Sequence, residues 1–458
     1  MVTATILCLK GQIMKLWQRL KENNPFRFPE HKRSRAFFTF EGTFATILGV
    51  LASGAILAGF LEYIGIPERY NGIILAIPIM TSILQPFGAY LFEGLQRKKP
   101  LFLGILAVHR SLLAIMFLVP VFIANPTVRA IALVSIFSIS SLLVALPTVA
   151  ASNWIFHLTS DYNRAKYLAI RERTMIFVSA VFALFSGWVI DHFKSIGDLN
   201  TGYIVIFIIA AVSMLGNAFS ITQIKEPESM SVVSSPRRKL LASLILPFKD
   251  KGFRPIILIM VLYQISIQLF APYWGIYQVN ALNLPYTYLM ALAFFGSVEK
   301  TIVVSFWARL SSRTNWVYCT MLALAIMAFS NVLNVFTVPK TAYVMTIIPS
   351  IVGQLSWAAL NMCFFNIQFE NAPKENRMLY VGATAAVSSL FGFAGVLFAG
   401  YLMSFAEQQG WVFLDAPFRG QQMQLIISSV MLLFTVWYIY RTFKKRGVPV
   451  KFKLWERN

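Results

Sequence analysis

The amino-acid sequence predicts an all-α membrane protein: twelve transmembrane helices in two pseudo-symmetric six-helix bundles. Three observations predict it. Twelve apolar stretches each approach the ~20 residues that cross a bilayer core as a helix. The loops between them alternate between basic and charge-poor. Positions in the second half repeat the chemistry of positions in the first. Composition agrees: of 458 residues 57% are hydrophobic and 13% charged, against about 25% charged in soluble domains. Forty Phe and ten Trp are too many for a surface that must stay wet.

The elements follow in order. Residues 1–36 form a cytoplasmic segment with no small-residue cleavage site. Ile6, Leu9, Ile13, Leu16, Trp17 and Leu20 recur at helical spacing among Lys10, Lys15, Arg19 and Lys21. Such a basic amphipathic helix suits the inner membrane surface. The first bundle, 37–224, holds apolar spans near 40–64, 70–92, 100–122, 130–152, 174–193 and 203–224. A linker, 225–254, opens with a Ser/Glu/Pro stretch. It ends in a short helix whose face is marked by Leu240, Leu241, Leu244 and Phe248. The second bundle, 255–443, holds spans near 255–278, 286–307, 316–337, 343–367, 379–404 and 424–442. Residues 444–458 are a basic cytoplasmic tail.

Charge sets the orientation. The net charge of +21 would suggest nucleic acid in a soluble protein, but these basic residues punctuate apolar runs, so no nucleic-acid partner is expected. The N-terminal segment, alternate loops, linker and tail carry 33 Lys and Arg; the other loops carry five, namely Arg69, Arg129, Lys194, Lys340 and Arg419. The positive-inside rule therefore places both termini in the cytoplasm, in a multi-pass protein of the cell membrane.

The halves resemble each other. Arg164-x-x-Tyr167, ahead of the fifth span, returns as Arg377-x-x-Tyr380 ahead of the eleventh. At the same offset Asn153 meets Asn366 and Gly187 meets Gly400. Ile66-Pro67 before the second span falls on Leu284-Pro285 before the eighth. Agreement in topological position argues for duplication, with repeats related about an axis along the membrane normal.

Between the second and third spans stands Gly88-Ala89-Tyr90-Leu91-Phe92-Glu93-Gly94-Leu95-Gln96-Arg97-Lys98-Lys99. Its counterpart in the second half is Trp307-Ala308-Arg309-Leu310-Ser311-Ser312-Arg313-Thr314-Asn315. With the topology and duplication, these loops resemble the major facilitator superfamily over residues 36–445. The superfamily's loop reads Gly-x-x-x-Asp-Arg-x-Gly-Arg-Arg. Glu93 stands for the Asp, Gln96 for the second Gly, and Ser312 stands where the second loop usually has an acid. The fourth span lacks the Arg frequent in proton-coupled members, and the fifth has a lone Gly187 where drug/proton antiporters are rich in Gly and Pro. The resemblance implies transport and a cavity lined by the first, fourth, seventh and tenth spans. It also implies a cytoplasmic gate in which Glu93 faces the start of the eleventh helix, Arg97 pairs with Asp161, and Arg313 reaches Glu370.

Polar residues inside spans are costly, at least about 2.5–3.5 kcal/mol for a charge near the centre. Glu299 and Lys300 lie within the eighth span. Lys300 can snorkel, whereas Glu299 needs a partner, a proton or water; transport, a structural ion pair or a shifted helix boundary would each explain it. Arg110, in the third span, either ties to carbonyls or a buried acid or holds an anionic substrate. Glu41 and Glu62, near the ends of the first span, are interfacial or functional. Gln264 and Gln268 share a face of the seventh span with Pro272 next, where a kink is expected; Trp274 and Tyr277 follow. Gln354, Trp357 and Asn361 form one stripe of the tenth span. These stripes and Gln85 either line the cavity or bond neighbouring helices.

A small organic solute is the expected substrate, carried by secondary active or facilitative transport, with the bilayer, a coupling proton or ion, and a monomeric state as further expectations. A membrane enzyme is disfavoured because the four His are dispersed and no catalytic, metal or cofactor motif occurs; no cofactor is expected. A transporter-derived sensor or lipid-handling protein is the alternative.

Overall fold

The structure, a computed structural model, describes residues 31–93, 95–159, 161–226, 240–373 and 377–447. These hold eleven helices long and apolar enough to cross a membrane, and a bent pair that makes a twelfth. Helix α1 is that pair, Lys32–Leu51 and Gly54–Ile64, bent by 45°. The bend comes from extended Ser53 followed by Gly54 at φ +56°. Helix α2 runs from Glu68 to Glu93 in short segments broken around Pro78 and Pro86. Then come α3 (Lys99–Phe122), α4 (Pro126–Ala145, continued by Thr148–Leu158 beyond Pro147), α5 (Asp161–Ser195) and α6 (Leu199–Gln223). Asp198 caps α6 through the amide and hydroxyl of Thr201, and the hydroxyl bond above all holds its carboxyl below the usual range.

A linker helix, Leu240–Lys249, stands where the apolar spacing predicts one, with Pro247 in its last turn. Beyond it lie α7 (Arg254–Ala281), α8 (Tyr286–Arg313), α9 (Trp316–Val335), α10 (Ala342–Asn371), α11 (Arg377–Gln409) and α12 (Gly420–Lys445). Helix α7 is interrupted between Gln268 and Ala271, just ahead of Pro272, and ends in a π-turn over Tyr277–Ala281. A two-residue-per-strand hairpin, Val412–Phe413 with Ala416–Pro417, joins α11 to α12.

Several helices outrun their apolar segments. The first starts at Lys32, not near residue 40, so the N-terminal segment contributes its last residues to the first bundle. That end is tied into the protein: Arg35 donates to the Leu158 carbonyl at 3.1 Å. The fifth starts at Asp161, not 174, which brings Arg171 into a helix. Residues 1–30, where the amphipathic helix is expected, lie outside the described ones.

The core around Phe60, Phe117, Leu133 and Tyr203 of the first bundle continues into Tyr277, Tyr286 and Leu289 of the second, whose own core centres on Phe253, Leu324, Leu360 and Leu432. The duplicated tyrosines perform the same task in both. Tyr167 donates to the Arg35 carbonyl at 3.0 Å, at the start of α1. Tyr380 donates to Asp250 at 3.3 Å, just ahead of α7. Both are almost fully buried, so each pins the fifth helix of its repeat to the entrance of the first.

The bundles meet at the end away from the termini. Helix α8 begins after Pro285, which offers no side-chain cap, so its first amides need acceptors from elsewhere. Asp191, near the end of α5, supplies them. It accepts from the Tyr286 amide at 2.9 Å and from the Thr287 amide and hydroxyl at 2.7 and 2.6 Å. Lys194 lies 6.0 Å over the Tyr286 ring, and Glu68 on α2 accepts from Asn280 on α7 at 2.9 Å. The repeated glycines allow the approach. A Cβ on Gly187 would stand 3.0 Å from the backbone of Tyr286 and Thr287, and one on Gly400 would stand 3.0 Å from the Tyr273 hydroxyl and 3.6 Å from the Arg69 carbonyl.

Candidate functional site

Two polar clusters lie within the spans, one in each bundle. In the first, Glu41 sits ten positions into α1 and is 6% exposed. Arg110 of α3, 5% exposed, donates to its Oε1 at 2.8 Å. Arg171 of α5 stands 3.8 Å from its Oε2. Asn217 of α6 donates to the Glu41 carbonyl at 2.7 Å and reaches Oε1 at 3.5 Å. Four helices thus converge on one carboxylate. A buried charge is tolerated only when paired and hydrogen-bonded, and this one is. The expectation of an interfacial Glu41 is corrected: because α1 begins at Lys32, the residue is well inside the bundle.

The cluster is not fully balanced. Two guanidiniums face one carboxylate, and Arg110 keeps a buried Nη1 without a hydrogen-bond partner. Beside it lies a cavity of about 370 Å³, to which Glu41, Arg110 and Arg171 all contribute. Arg171 also lies 5.2 Å over the Phe38 ring. Next to Arg110, His109 packs against Ser140 of α4, with Nδ1 at 2.8 Å from the hydroxyl, a tie between helices.

In the second bundle, α8 and α10 present the other cluster. Lys300 Nζ stands 5.9 Å from the Trp357 ring centroid, a cation–π arrangement. Gln354 lies against Gly296, one turn from Lys300, so close that a Cβ there would stand 2.7 Å from its Nε2. Glu299 Oε1 and Gln354 Oε1 are buried without a hydrogen-bond partner. Glu299 points about 100° away from Lys300, next to exposed Phe295 and Ile302. A structural ion pair, one of the three readings open for Glu299, is not formed among the described residues. The side chain of Asn361 lies outside the described ones.

Other predicted positions separate. Gln264 and Gln268 both pack on Gly392 of α11, and Gln268 Oε1 is buried without a partner. Tyr277 is corrected: it is 2% exposed and donates to the Thr337 carbonyl at 2.6 Å, so it belongs to the closed end and lines no open cavity. The Trp274 ring lies tilted against it, with centroids 5.4 Å apart. Gln85 is half-buried at the last break in α2. Of the gate residues, Arg97, Arg313 and Glu370 are exposed, and the side chains of Glu93 and Asp161 lie outside the described ones. Arg171, Asn217 and Asp191 were missed by sequence reasoning. Arg171 falls in a charged run that reads as a loop, although Met175 and Val178 follow at helical spacing. Asp191 had a signal in Pro285, a helix start without a cap of its own.

Three comparisons bear on this arrangement. The family profile of the Major Facilitator Superfamily matches residues 39–396. The fold resembles that of the nucleoside transporter NupG, at TM-score 0.65 and 13% identity over 90% of this chain and 99% of that one. It resembles a POT family transporter solved with 5-aminolevulinic acid, at TM-score 0.64 and 12% identity over 90% and 96%. A D-xylose-proton symporter matches at TM-score 0.65 and 12% identity over 89% and 96%. No curated protein matches the sequence.

Proposed function

The chain belongs to the Major Facilitator Superfamily, and on that premise we propose that it is a solute transporter that moves a small organic molecule by alternating access, as a secondary active or facilitative carrier. The carrying observation is the contact between bundles, where Asp191 caps α8 and Glu68 holds Asn280. Two rigid bundles tied at one end and free to rock are what alternating access needs. With both termini cytoplasmic in the cell membrane, the tied end is the outer one and the conformation is inward-facing. The bundles, α1–α6 and α7–α12, extend a few residues beyond the expected 37–224 and 255–443, and the linker between them lies on the cytoplasmic side. The site candidates are Glu41, Arg110 and Arg171 on one side, and Lys300, Gln354 and Trp357 on the other, with Glu299 as the candidate for a coupling proton.

Cross-linking tests this. In a background lacking Cys8, Cys319 and Cys363, cysteines at Asp191 and Thr287 are joined by a short reducible reagent in proteoliposomes. Solute counterflow, measured over a panel of sugars, nucleosides, peptides and organic acids, should stop on cross-linking and return on reduction. Full activity in the cross-linked protein would overturn the alternating-access reading.

A further inference from the structure

We propose that the first-bundle cavity binds the carboxylate of a small organic monoanion bearing an apolar body, with Arg110 and Arg171 as its anchors; the assignment rests on the transport reading of that cluster. Charge is the first argument. Glu41 is bordered by both guanidiniums, at 2.8 and 3.8 Å, so the cluster carries one positive charge in excess. A single carboxylate neutralises it, whereas a dianion would leave an excess negative charge.

Hydrogen bonding is the second. Arg110 spends Nη2 on Glu41 and leaves Nη1 buried and unpartnered, in a side chain that contributes to the cavity wall. A buried donor without an acceptor is costly, and guanidiniums favour carboxylates by paired, charge-assisted hydrogen bonds. Glu41 is already shared, with Arg110 and Asn217 at its Oε1 and Arg171 at 3.8 Å from its Oε2.

The remaining wall is the third. Away from the charges the cavity is lined by Phe38, Phe102, Leu106, Val144, Ala151 and Ile155. At about 370 Å³ it lies at the small end of ordinary ligand pockets, ~300–1,000 Å³. Apolar walls with a few fixed polar groups are how such pockets orient a ligand. Access follows from α1. Thr46, at the cavity's edge, begins a partly or fully exposed stripe continued by Gly49 and Ser53. Small and polar residues suit a water-facing wall between the bundles, not one facing lipid.

Purified full-length protein is titrated with sodium 3-phenylpropionate, with its uncharged isostere 3-phenylpropanamide, and with sodium phosphate at matched ionic strength, reading thermal unfolding. The acid should stabilise saturably, and the amide and phosphate should not. Arg171→Gln should weaken acid binding by about tenfold or more, as expected for loss of a partly buried charged partner. Arg110→Gln alone would leave Glu41 short of its counter-charge, so the second variant is the double substitution E41Q/R110Q, which should lose binding while remaining folded. Equal stabilisation by acid and amide, absence of stabilisation by the acid, or wild-type affinity in both folded variants would each overturn the assignment. Counterflow without acid binding would leave the transport reading standing alone. Acid binding in a protein that works while cross-linked would do the reverse.

Discussion

At the scale of single residues, the protein treats charges very differently inside and outside its spans. The Glu41 carboxylate is shared by Arg110, Arg171 and Asn217, and its side chain is 8% exposed. Lys340 and Asp415 pair at 2.8 Å with side chains 69% and 84% exposed. Geometry is equally good in the two, so burial decides. Glu41→Ala should cost about 3 kcal/mol or more, because it strands the buried Arg110 guanidinium and takes the counter-charge from the partly buried Arg171. Asp415→Ala should change stability by no more than about 1 kcal/mol. Unfolding in detergent, followed by denaturant titration, checks the pair; equal losses would refute the burial argument. Glu299 is a third case, with a buried oxygen that bonds nothing. Glu299→Gln removes no hydrogen bond at that oxygen, so expression should be intact while the pH dependence of transport changes. Kinetics matching the parent at every pH would take Glu299 out of the mechanism.

At the scale of elements, the duplication becomes physical. Tyr167 and Tyr380 pin corresponding helix entrances, and Gly187 and Gly400 admit corresponding helix starts from the opposite bundle. The contact at the tied end is a cap supplied across a domain boundary: a carboxylate from α5 at the positive end of α8. Such a cap contributes about 0.5–2 kcal/mol. Asp191→Ala should therefore shift the ratio of conformers away from the closed outer end by roughly 2- to 30-fold. Gly187→Val should act in the same direction, since its side chain meets backbone that cannot rotate away. Gly104→Ala, with nothing within 4 Å of its Cβ, is the neutral control. Distances between spin labels on the outer ends of α5 and α8 report the ratio, and an unchanged distribution in Asp191→Ala would remove the cap from the gate.

At the scale of the whole molecule, orientation and conformation combine. The linker end and the tied end must lie on opposite sides of the bilayer. Cysteines placed at Lys251 and Glu407, both exposed, should react with an impermeant maleimide from the inside and the outside respectively. The reverse pattern in intact cells would invert the orientation and turn the inward-facing state into an outward-facing one. The family resemblance implies a Glu93 lock at the other end, which would belong to the alternate conformer. A gate of this kind shifts populations only by the difference in its energy between the two states.

Much of this protein was determined by the sequence alone. Twelve apolar stretches are legible because a bilayer demands length and apolarity of each one separately, and loop charge alternates because insertion acts locally. The duplicated motifs, the linker helix and the kink near Pro272 were legible for the same reason, since each depends on neighbours along the chain. The tertiary structure alone decided which helix supplied a partner to which. Glu41 and Arg110 were both visible as charges within spans, yet nothing along the chain joins them to each other or to Asn217. Arg171 was hidden, because a polar helix end that packs inside a bundle looks like a loop when hydropathy is the only measure. Tyr277 was assigned to a cavity because a helical stripe shows that residues share a face and does not show what that face meets. Pairing across helices depends on rotation and tilt, which are set by packing between surfaces far apart in sequence.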